Sequence, residues 1–518
     1  MRGLSKTGTI LIKVFLVANT LVFAFLFLYS FRYIYINTIL DVEFPTIKGN
    51  SPIVNGLGVL TVLVIFFLLG RIRNPGKKLS DVIALFIALL SCFLAVIWIR
   101  SSATIPVADQ ALIGAAAYAF NNGDYTMLEK GQYLATCPQN IGVTTVLRVI
   151  FRVFGDWNED AFKMLSAFFV IPLVYGIYRI TVMISGEAKT GLIAALAVSA
   201  CIPMYFYTTF IYGEIMSVSL SVCAVMFFLK SLEKPGLLNI IFLLISVSGA
   251  VFIKSNSLIV IVAMIVVCAL KLIFGDGRKK VLFILFVLIA GMMLPSALIK
   301  LIYRGHMPAD AKGIPAILYV QMGVNRNQVS DLYGYGWYDN SVQEIYRECD
   351  YSAEEASLKA REMIKDFFSE YKNDIPGLIQ FYKIKITTQW NNPMYQAIVM
   401  NNRCLWDEQN AFAGRIYNDH FIWKIMDKYM NIYQLMIYLG AVLSGIRLFI
   451  KCRDAGRLTC LIAVFGGFLF SVIWEAKGRY IFPYLMLLIP DAITGLYIFT
   501  HKVKNPWKQK QYTNLQKQ

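Results

Sequence analysis

Long apolar runs recur along the whole chain and decide what it can fold into. Each run has roughly 17–25 residues, the length that a helix needs to cross a bilayer. The runs are continuous and do not alternate between apolar and polar residues, which disfavours a transmembrane β-barrel. The chain, in which 57% of the residues are hydrophobic, is therefore predicted to be an all-α polytopic membrane protein with about 12 transmembrane helices. The predicted spans lie near residues 9–31, 52–70, 81–99, 161–183, 190–207, 212–229, 237–253, 256–273, 281–301, 431–450, 457–474 and 480–499.

Cationic residues collect in alternate loops and at both ends of the chain. The short loops between them hold only Arg32, Lys48, Lys254, Lys477 and Arg479. This positive-inside pattern predicts that both termini are cytoplasmic and that two long loops, 100–160 and 302–430, are extracytoplasmic. It also accounts for the net charge of +17 without a nucleic acid as partner. The first run lacks a small-residue cleavage site and is predicted to be an uncleaved anchor.

The layout divides the chain into four parts. Residues 1–80 carry two N-terminal transmembrane helices, and residues 81–301 form a transmembrane module that includes the first long loop. Residues 302–430 form the second long loop. Residues 431–518 carry the last transmembrane helices and a basic cytoplasmic tail.

The first long loop is predicted to hold two interfacial helices. One begins near Pro106, which suits a first helical turn, and ends before Gly123; the other runs from Pro138 to Gly155. Asp109 lies at helical spacing from an apolar stripe and is predicted to point inwards with it. The alternative is a solvated acid that the helix macrodipole stabilises. The stripe consists of Leu112, Ile113, Ala116 and Phe120.

The second long loop contains two helical patterns. Ser352 is predicted to cap a helix whose first turn carries Glu354 and Glu355. The next helix, "IPGLIQFYKIKITTQW", is predicted to lie on the membrane surface. Its apolar stripe consists of Ile379, Tyr382, Ile386 and Trp390. Upstream, "YGYGWYDN" is either an ordered turn or a set of aromatic and amide groups that bind a sugar.

Cysteine and histidine offer little chemistry in this sequence. Of the cysteines outside the predicted spans, Cys137, Cys349 and Cys404 are predicted to face the extracytoplasmic side. The sequence does not decide whether two of these three form a disulfide. No His/Cys group has the spacing of a zinc site.

Polar residues from distant segments are predicted to meet at the outer membrane boundary. They occur in "VADQ", "YLATCPQN", "YGEIMS", "IKSNS" and "WEAKGRYIFPY". Ionisable groups at such a depth are candidates for function. We predict Asp109 as the catalytic residue and Lys254 and Arg479 as phosphate ligands. The predicted substrate-binding residues are Gln110, Tyr133, Gln139, Asn140, Glu214, Asn256, Glu475, Tyr480 and Trp337.

Each boundary residue also has a purely structural interpretation. Lys254 and Arg479 can snorkel to the interface, where aromatic residues form a belt. Glu475 and Arg479 can pair with each other at i,i+4 spacing if the segment is helical. The predicted convergence of acids and bases from distant spans at one depth favours the functional interpretation.

The order and depth of these motifs resemble the GT-C superfamily of integral-membrane glycosyltransferases. The resemblance is to bacterial relatives of dolichyl-phosphate-mannose protein mannosyltransferases and of lipid A aminoarabinose transferases. It rests on "VADQ", the two interfacial helices, "YGE", "IKSNS" and "EAKGRYIFP", and is best over residues 81–301. It implies a multi-pass protein of a bacterial plasma membrane with an extracytoplasmic active site.

The resemblance also implies a reaction. Sugar would move from a polyprenyl-phosphate carrier, in the membrane lipid, to an extracytoplasmic acceptor: a cell-envelope polymer, a lipid or a protein. Asp109 would be the general base of an inverting transfer. Many relatives carry a second acid where this chain has Gln110. No cofactor is therefore assigned, and dependence on a divalent metal, Mg or Mn, is left undecided.

Two other classes of membrane protein compete with this interpretation. A secondary transporter or lipid-linked glycan flippase often has about twelve spans, but it usually shows internal repeats and polar groups at the membrane midplane. A glycan polymerase or ligase would share the lipid carrier and use other catalytic residues.

Overall fold

The computed structural model describes residues 6–37, 43–102, 104–275, 277–307, 312–329, 331–402, 414, 416, 420–451 and 454–501. Within this part of the chain, ten helices are long and apolar enough to cross a membrane. The protein is therefore a helical, multi-pass membrane protein. The ten helices are Lys6–Arg32, Pro52–Arg71, Lys77–Ser102, Glu159–Ser185, Glu214–Glu233, Ser255–Phe274, Arg278–Ile302, Phe421–Lys451, Ala455–Ile473 and Phe482–Thr500.

Two further predicted spans have a different form. The run near 190–207 is a pair of helices, Ala188–Ser199 and Ile202–Thr209, bent by 58° at a break. The run near 237–253 is the helix Leu237–Ile253, which is apolar but has only 17 residues. The bent pair raises the number of candidate spans to 11, so the count of twelve stays a prediction.

The last helix, Phe482–Thr500, lies at the centre of the bundle. Of its most apolar window, 83% is buried inside the protein, whereas for Pro52–Arg71 the share is 11%. It packs against the helix His420–Lys451, where a Cβ on Gly495 would overlap the Gly440 carbonyl. Small residues at such a crossing let two backbones approach closely, which is how helices associate without a hydrophobic driving force. The helix at His420 begins before the predicted boundary at 431.

The first long loop folds into two main helices, as predicted. They are Asp109–Asn121 and Ile141–Phe154, and a short helix, Tyr133–Thr136, lies between them. The side chains of Ile113, Ala116 and Phe120 are buried, but Leu112 is 38% exposed. Leu112 therefore does not belong to the buried stripe, and Gln110 takes its place beside the core.

The second long loop contains five helices among its described residues. Ser352 caps the third of them, and its Oγ accepts a hydrogen bond from the Glu355 N–H, as predicted. The helices are Ala316–Met322, Ser341–Glu348, Ala353–Glu370, Ile375–Trp390 and Ala397–Asn402.

The helix Ile375–Trp390 does not lie along the protein surface over its whole length. Ile379 is 64% exposed and Trp390 is 1% exposed. The residues of the predicted apolar stripe therefore do not share one environment along the helix. The second half enters the bundle because its polar side chains find internal partners. Gln389 donates to the Ser471 carbonyl at 3.2 Å, and the Trp390 indole N–H donates to the Ser471 hydroxyl at 2.9 Å.

A small antiparallel sheet departs from the all-α prediction. Its strands are β1 (Tyr33–Ile36), β2 (Thr46–Gly49), β3 (Arg326–Val329) and β4 (Leu332–Tyr335), in the order β1-β2-β4-β3. Thr46 lies opposite Leu332, and the Tyr333 N–H donates to the Pro45 carbonyl at 2.9 Å. The sheet thus joins the second long loop to the link between the first two helices.

The described cysteines carry no disulfide. Cys137 and Cys349 are both free thiols, so the bridge between these two that the sequence left open is absent. Cys404 lies outside the described residues.

A glycine contact fixes the second helix of the first long loop. A Cβ on Gly142 would overlap the backbone carbonyl of Phe252. Because the overlap is with backbone atoms, a change of side-chain conformation cannot relieve it. We expect Gly142→Ala to destabilise the purified protein by about 1–3 kcal/mol through overpacking, measured as a lower Tm in detergent. Gly56→Ala is the control, because nothing lies within 4 Å of its Cβ and alanine favours a helix. An unchanged Tm for Gly142→Ala would contradict this contact.

Candidate active site

A cavity of about 1100 Å³ lies where the long loops meet the ends of the membrane helices. All but two of the predicted site residues line it, the exceptions being Glu214 and Trp337. The cavity has two sides. The helix-end wall comprises Phe210, Tyr212, Lys254, Ser255, Asn256, Glu475, Arg479 and Tyr480. The loop wall comprises Glu43, Phe44, Ile314, Ala316, Tyr319, Arg326, Asn327, Tyr338, Asp339, Asn340, Gln343, Trp474 and Lys477. Asp109, on the first long loop, also lines the cavity.

Tyr212 is the centre of the helix-end wall. The ammonium of Lys254 lies 4.9 Å from the centroid of its ring, and the Arg479 guanidinium lies 5.1 Å from it. Its hydroxyl donates to a carboxylate oxygen of Asp109 at 3.3 Å. One aromatic side chain therefore connects the predicted base with both predicted phosphate ligands. Burial, followed by the charge of Asp109, raises the pKa of Tyr212 well above its usual value, so its hydroxyl keeps the proton that it donates.

Asn140 holds two phenols in place beside Asp109. Its amide donates to the Tyr133 hydroxyl at 2.7 Å and to the Tyr212 hydroxyl at 2.9 Å. Asn140 directly precedes the helix Ile141–Phe154, whose position depends on Gly142. Asp109 is thus positioned through Tyr212 and Asn140, which come from separate parts of the chain.

Gln110 fastens the Asp109 helix to the helix-end wall. Its side-chain oxygen accepts a hydrogen bond from the Ile211 N–H at 2.7 Å, and Gln110 is 3% exposed. Ala108, just before Asp109, has a φ of 50°. A non-glycine residue in that region stores strain, which concentrates at functional sites. The strained backbone at Ala108 and the buried amide of Gln110 therefore both fix where Asp109 enters the cavity.

Lys254 already has a carboxylate partner. Glu214 accepts a hydrogen bond from its ammonium in a buried ion pair, in which the Glu214 and Lys254 side chains are 3% and 15% exposed. Glu214 begins a helix directly after Gly213, whose φ is 78° and whose Cβ would overlap Ile253. Glu214 therefore neutralises the cation beside the cavity and does not line it as the sequence suggested.

Arg479 has no such partner among the described residues, where no carboxylate forms an ion pair with it. It is 7% exposed and lies near the rings of Phe210 and Tyr480, each 5.6 Å from its guanidinium carbon. Its Nε–H is buried and has no hydrogen-bond partner within the described ranges. A buried donor left unpaired is costly, so Arg479 is the group of this wall most ready to bind an anion.

Glu475 does not pair with Arg479 at helical spacing. The helix Thr459–Ile473 ends before it, and residues Gly478–Tyr480 form a 3₁₀ turn, so the i,i+4 geometry is absent. Glu475 instead accepts a hydrogen bond from the Tyr480 hydroxyl. Burial raises the pKa of Glu475, against the opposing charge of Lys477.

The loop wall carries its own set of polar groups. The Lys477 ammonium lies 3.3 Å from a Glu43 carboxylate oxygen and 4.1 Å from the centroid of the Tyr338 ring. On the same wall, the ring of Tyr319 stacks on Trp474 with centroids 5.1 Å apart. Within the segment Lys477–Gly478–Arg479, Lys477 thus lies at the loop wall and Arg479 at the helix-end wall.

Trp337 lies behind the cavity. It is fully buried, and its indole N–H donates to the Thr388 hydroxyl at 3.0 Å. The Ala476 N–H donates to the Gly336 carbonyl at 2.6 Å, which joins the two walls at this point. Trp337 therefore supports the cavity, and the prediction that it contacts substrate does not fit its position.

The residues of the cavity do not form a metal site by composition. Among the described residues, no group of three or more His, Cys, Asp and Glu side chains could hold a metal ion. The amide that stands beside Asp109 is also committed to the Ile211 N–H.

The predicted site omitted many residues that line the cavity, and three of them make contacts that matter to the site. They are Tyr212, Tyr338 and Lys477. All three stand inside motifs that the sequence singled out, "YGEIMS", "YGYGWYDN" and "WEAKGRYIFPY". The prediction selected other members of these motifs, because these three residues make their contacts with distant parts of the chain.

Comparison with known proteins adds no further constraint, since no protein-family model and no curated protein matches this sequence.

The Glu214–Lys254 pair yields a stability prediction. Glu214→Gln leaves a buried ammonium uncompensated, so we expect a loss of about 3–5 kcal/mol and a lower Tm in detergent. The double variant Glu214→Gln/Lys254→Met, which removes both charges, should recover most of that loss. The matched control is Asp350→Asn, since its ion pair with Lys130 is largely solvent-exposed and contributes little. A Tm for Glu214→Gln equal to that of the control would show that the pair carries no stability.

Proposed function

We propose that the protein is a membrane glycosyltransferase that moves a sugar from a polyprenyl-phosphate carrier to an extracytoplasmic acceptor. One observation carries the proposal. A carboxylate, Asp109, and a guanidinium, Arg479, which has no ion-pair partner in the part of the chain that the structure describes, both contact the same phenol, Tyr212, in a cavity at the ends of membrane helices. This combination supplies a base and an anion site within one cavity that a membrane lipid can reach.

Arg479 is the proposed ligand of the donor phosphate. A guanidinium binds phosphate oxygens through two parallel N–H groups, and among the described residues no carboxylate forms an ion pair with this one. Lys254 adds a second positive group on the same ring, although Glu214 offsets its charge. Fixed cations in low-dielectric surroundings stabilise the charge that develops on a leaving group.

Asp109 is the proposed general base. The acceptor oxygen attacks C1 of the sugar, and the bond from that oxygen to C1 forms as the bond from C1 to the phosphate oxygen breaks. The acceptor proton goes to Asp109, and the electron pair of the broken bond leaves with the phosphate beside Arg479. Such a single displacement inverts the anomeric carbon and needs no covalent intermediate.

The polyprenyl chain requires an apolar approach to Arg479. Apolar side chains are interspersed along the cavity, among them Phe44, Leu112, Phe210 and Met400. The distribution of cations in the loops supports a cavity on the extracytoplasmic side of the plasma membrane and cytoplasmic termini. The acceptor would then reach Asp109 from outside the cell.

The base assignment predicts the effect of one isosteric change. Asp109→Asn keeps the size of the side chain and can still accept from Tyr212, but it cannot take a proton. Loss of a general base slows the chemical step by about 10²–10⁴-fold. The measurement is sugar transfer from a polyprenyl-phosphate donor by purified variants at equal Tm.

Asp124 provides the control for that experiment. It lies on the same loop, but its carboxylate is occupied by Thr126, which donates to it from the backbone N–H at 2.9 Å and from the hydroxyl at 2.6 Å. Asp124→Asn should transfer sugar at close to the wild-type rate. Transfer by Asp109→Asn at the rate of the control would overturn the base assignment.

The phosphate assignment predicts a change in donor use. Arg479→Gln removes the charge, and a lost hydrogen bond to a charged group costs about 1.5–3 kcal/mol, so kcat/KM for the donor should fall by roughly 10- to 100-fold. Arg361→Gln, at an exposed position on the helix Ala353–Glu370, is the control. Equal donor kcat/KM in the two variants would remove Arg479 from the donor site.

A further inference from the structure

The loop wall and the proposed base, Asp109, line the same cavity. Burial and, after it, the charge of Asp109 raise the pKa of Tyr338, so its phenol lies within electrostatic reach of that carboxylate. Tyr338 also contacts Lys477 and lines the same cavity as Asp109. A molecule that delivers a hydroxyl to Asp109 would therefore lie against this wall.

The loop wall offers few charges to a ligand. Lys477 pairs with Glu43. Asp339 accepts hydrogen bonds from the amides of Asn325 at 2.8 Å and Asn327 at 2.6 Å, and from the Ser341 hydroxyl at 2.6 Å, so its oxygens are already occupied by neutral donors. Arg326 is exposed, and its guanidinium carbon lies 5.8 Å from the centroid of the Tyr335 ring. A polyanionic ligand would need several available cations and a cationic ligand an available carboxylate, and these groups do not form such a set.

The groups that remain available are neutral amides and phenols. Asn340 is exposed and lines the cavity, and the Tyr319 and Tyr338 rings stand beside it. The side-chain oxygen of Gln343 is buried and accepts no hydrogen bond from the part of the chain that the structure describes. An unpaired buried acceptor is costly, and a donor from a ligand would satisfy it. Neutral hydrogen-bonding groups beside aromatic faces suit a ligand with many hydroxyl groups.

A peptide acceptor fits the wall less well. Strand β3 is an edge of the sheet, and extended peptides can add to such an edge. Arg326 and Asn327 of β3 line the cavity, however, and the amide of Asn327 is held by Asp339. The Asn327 side chain is therefore not available to a peptide paired with this edge.

From this wall we infer that the acceptor is a neutral glycan, bound by Tyr338, Asn340 and Gln343 so that one hydroxyl reaches Asp109. The inference rests on the proposed function, because it names the second substrate of the same site. The glycan adds its hydroxyl oxygen to C1 of the donor sugar, loses that proton to Asp109, and is released one sugar longer.

The test offers the purified protein several acceptors of different chemistry. The donors are polyprenyl phosphates that carry labelled mannose, glucose, galactose or arabinose. The acceptors are a panel of neutral tetrasaccharides (of glucose, galactose, mannose and N-acetylglucosamine), a polyglycerol-phosphate fragment, and a peptide rich in serine and threonine. We expect kcat/KM for at least one neutral tetrasaccharide to exceed that for the other two classes by at least tenfold. Preferred transfer to the phosphate polymer or the peptide would overturn the inference and leave the proposed function standing.

A binding measurement decides the inference if no donor is cleaved, an outcome that would count against the proposed function. Saturation-transfer NMR with the same tetrasaccharides needs no donor. We expect a signal from the protein to at least one of them, weakened about three- to tenfold in affinity by Gln343→Ala, as the loss of one neutral hydrogen bond implies. Asn373→Ala, an exposed amide of the same loop, should bind like the wild type. No signal from any tetrasaccharide, or equal binding by Gln343→Ala and the control, would overturn the inference.

Discussion

The contacts of a single phenol, Tyr212, hold the candidate site together. Lys254 and Arg479 both lie about 5 Å from its ring, where the face of an aromatic ring attracts a cation. The two cations repel each other, and the ring, together with Glu214, offsets that repulsion. The hydroxyl of the same residue donates to Asp109. The positions of the proposed base and of the proposed phosphate ligands therefore depend on one side chain.

The membrane explains why the site lies where the helices end. Backbone that leaves a helix inside hydrocarbon has no water to satisfy its polar groups, so irregular segments are placed at the boundary or inside the protein. Tyr212, Lys254 and Arg479 all follow or precede such helix ends. The long loops then cover these helix ends. The sheet places Glu43 beside Lys477. The result is a cavity with two chemically different walls.

The sequence predicted most of the membrane helices because the length of an apolar run fixes a span. Most predicted site residues line one cavity, since they lie next to the ends of these runs. The sheet was not predicted, because its strands have four residues each and β2 pairs with β4 across more than half of the chain length, which leaves no periodic signal. Trp337 and Glu214 were misplaced because a partner, Thr388 or Lys254, decides which way each side chain points. The buried half of the helix Ile375–Trp390 escaped detection since its polar residues bind internal carbonyls.

The most direct test of the account is the fate of a lipid-linked sugar given to the wild-type protein. Purified protein in nanodiscs would receive polyprenyl phosphates carrying labelled sugars, and both free polyprenyl phosphate and the anomeric configuration of the product would be measured. The account predicts release of the lipid phosphate together with a product of inverted configuration. If every donor stays intact while the protein moves solute or lipid-linked sugar across proteoliposomes, the chain is a transporter and the catalytic account is contradicted.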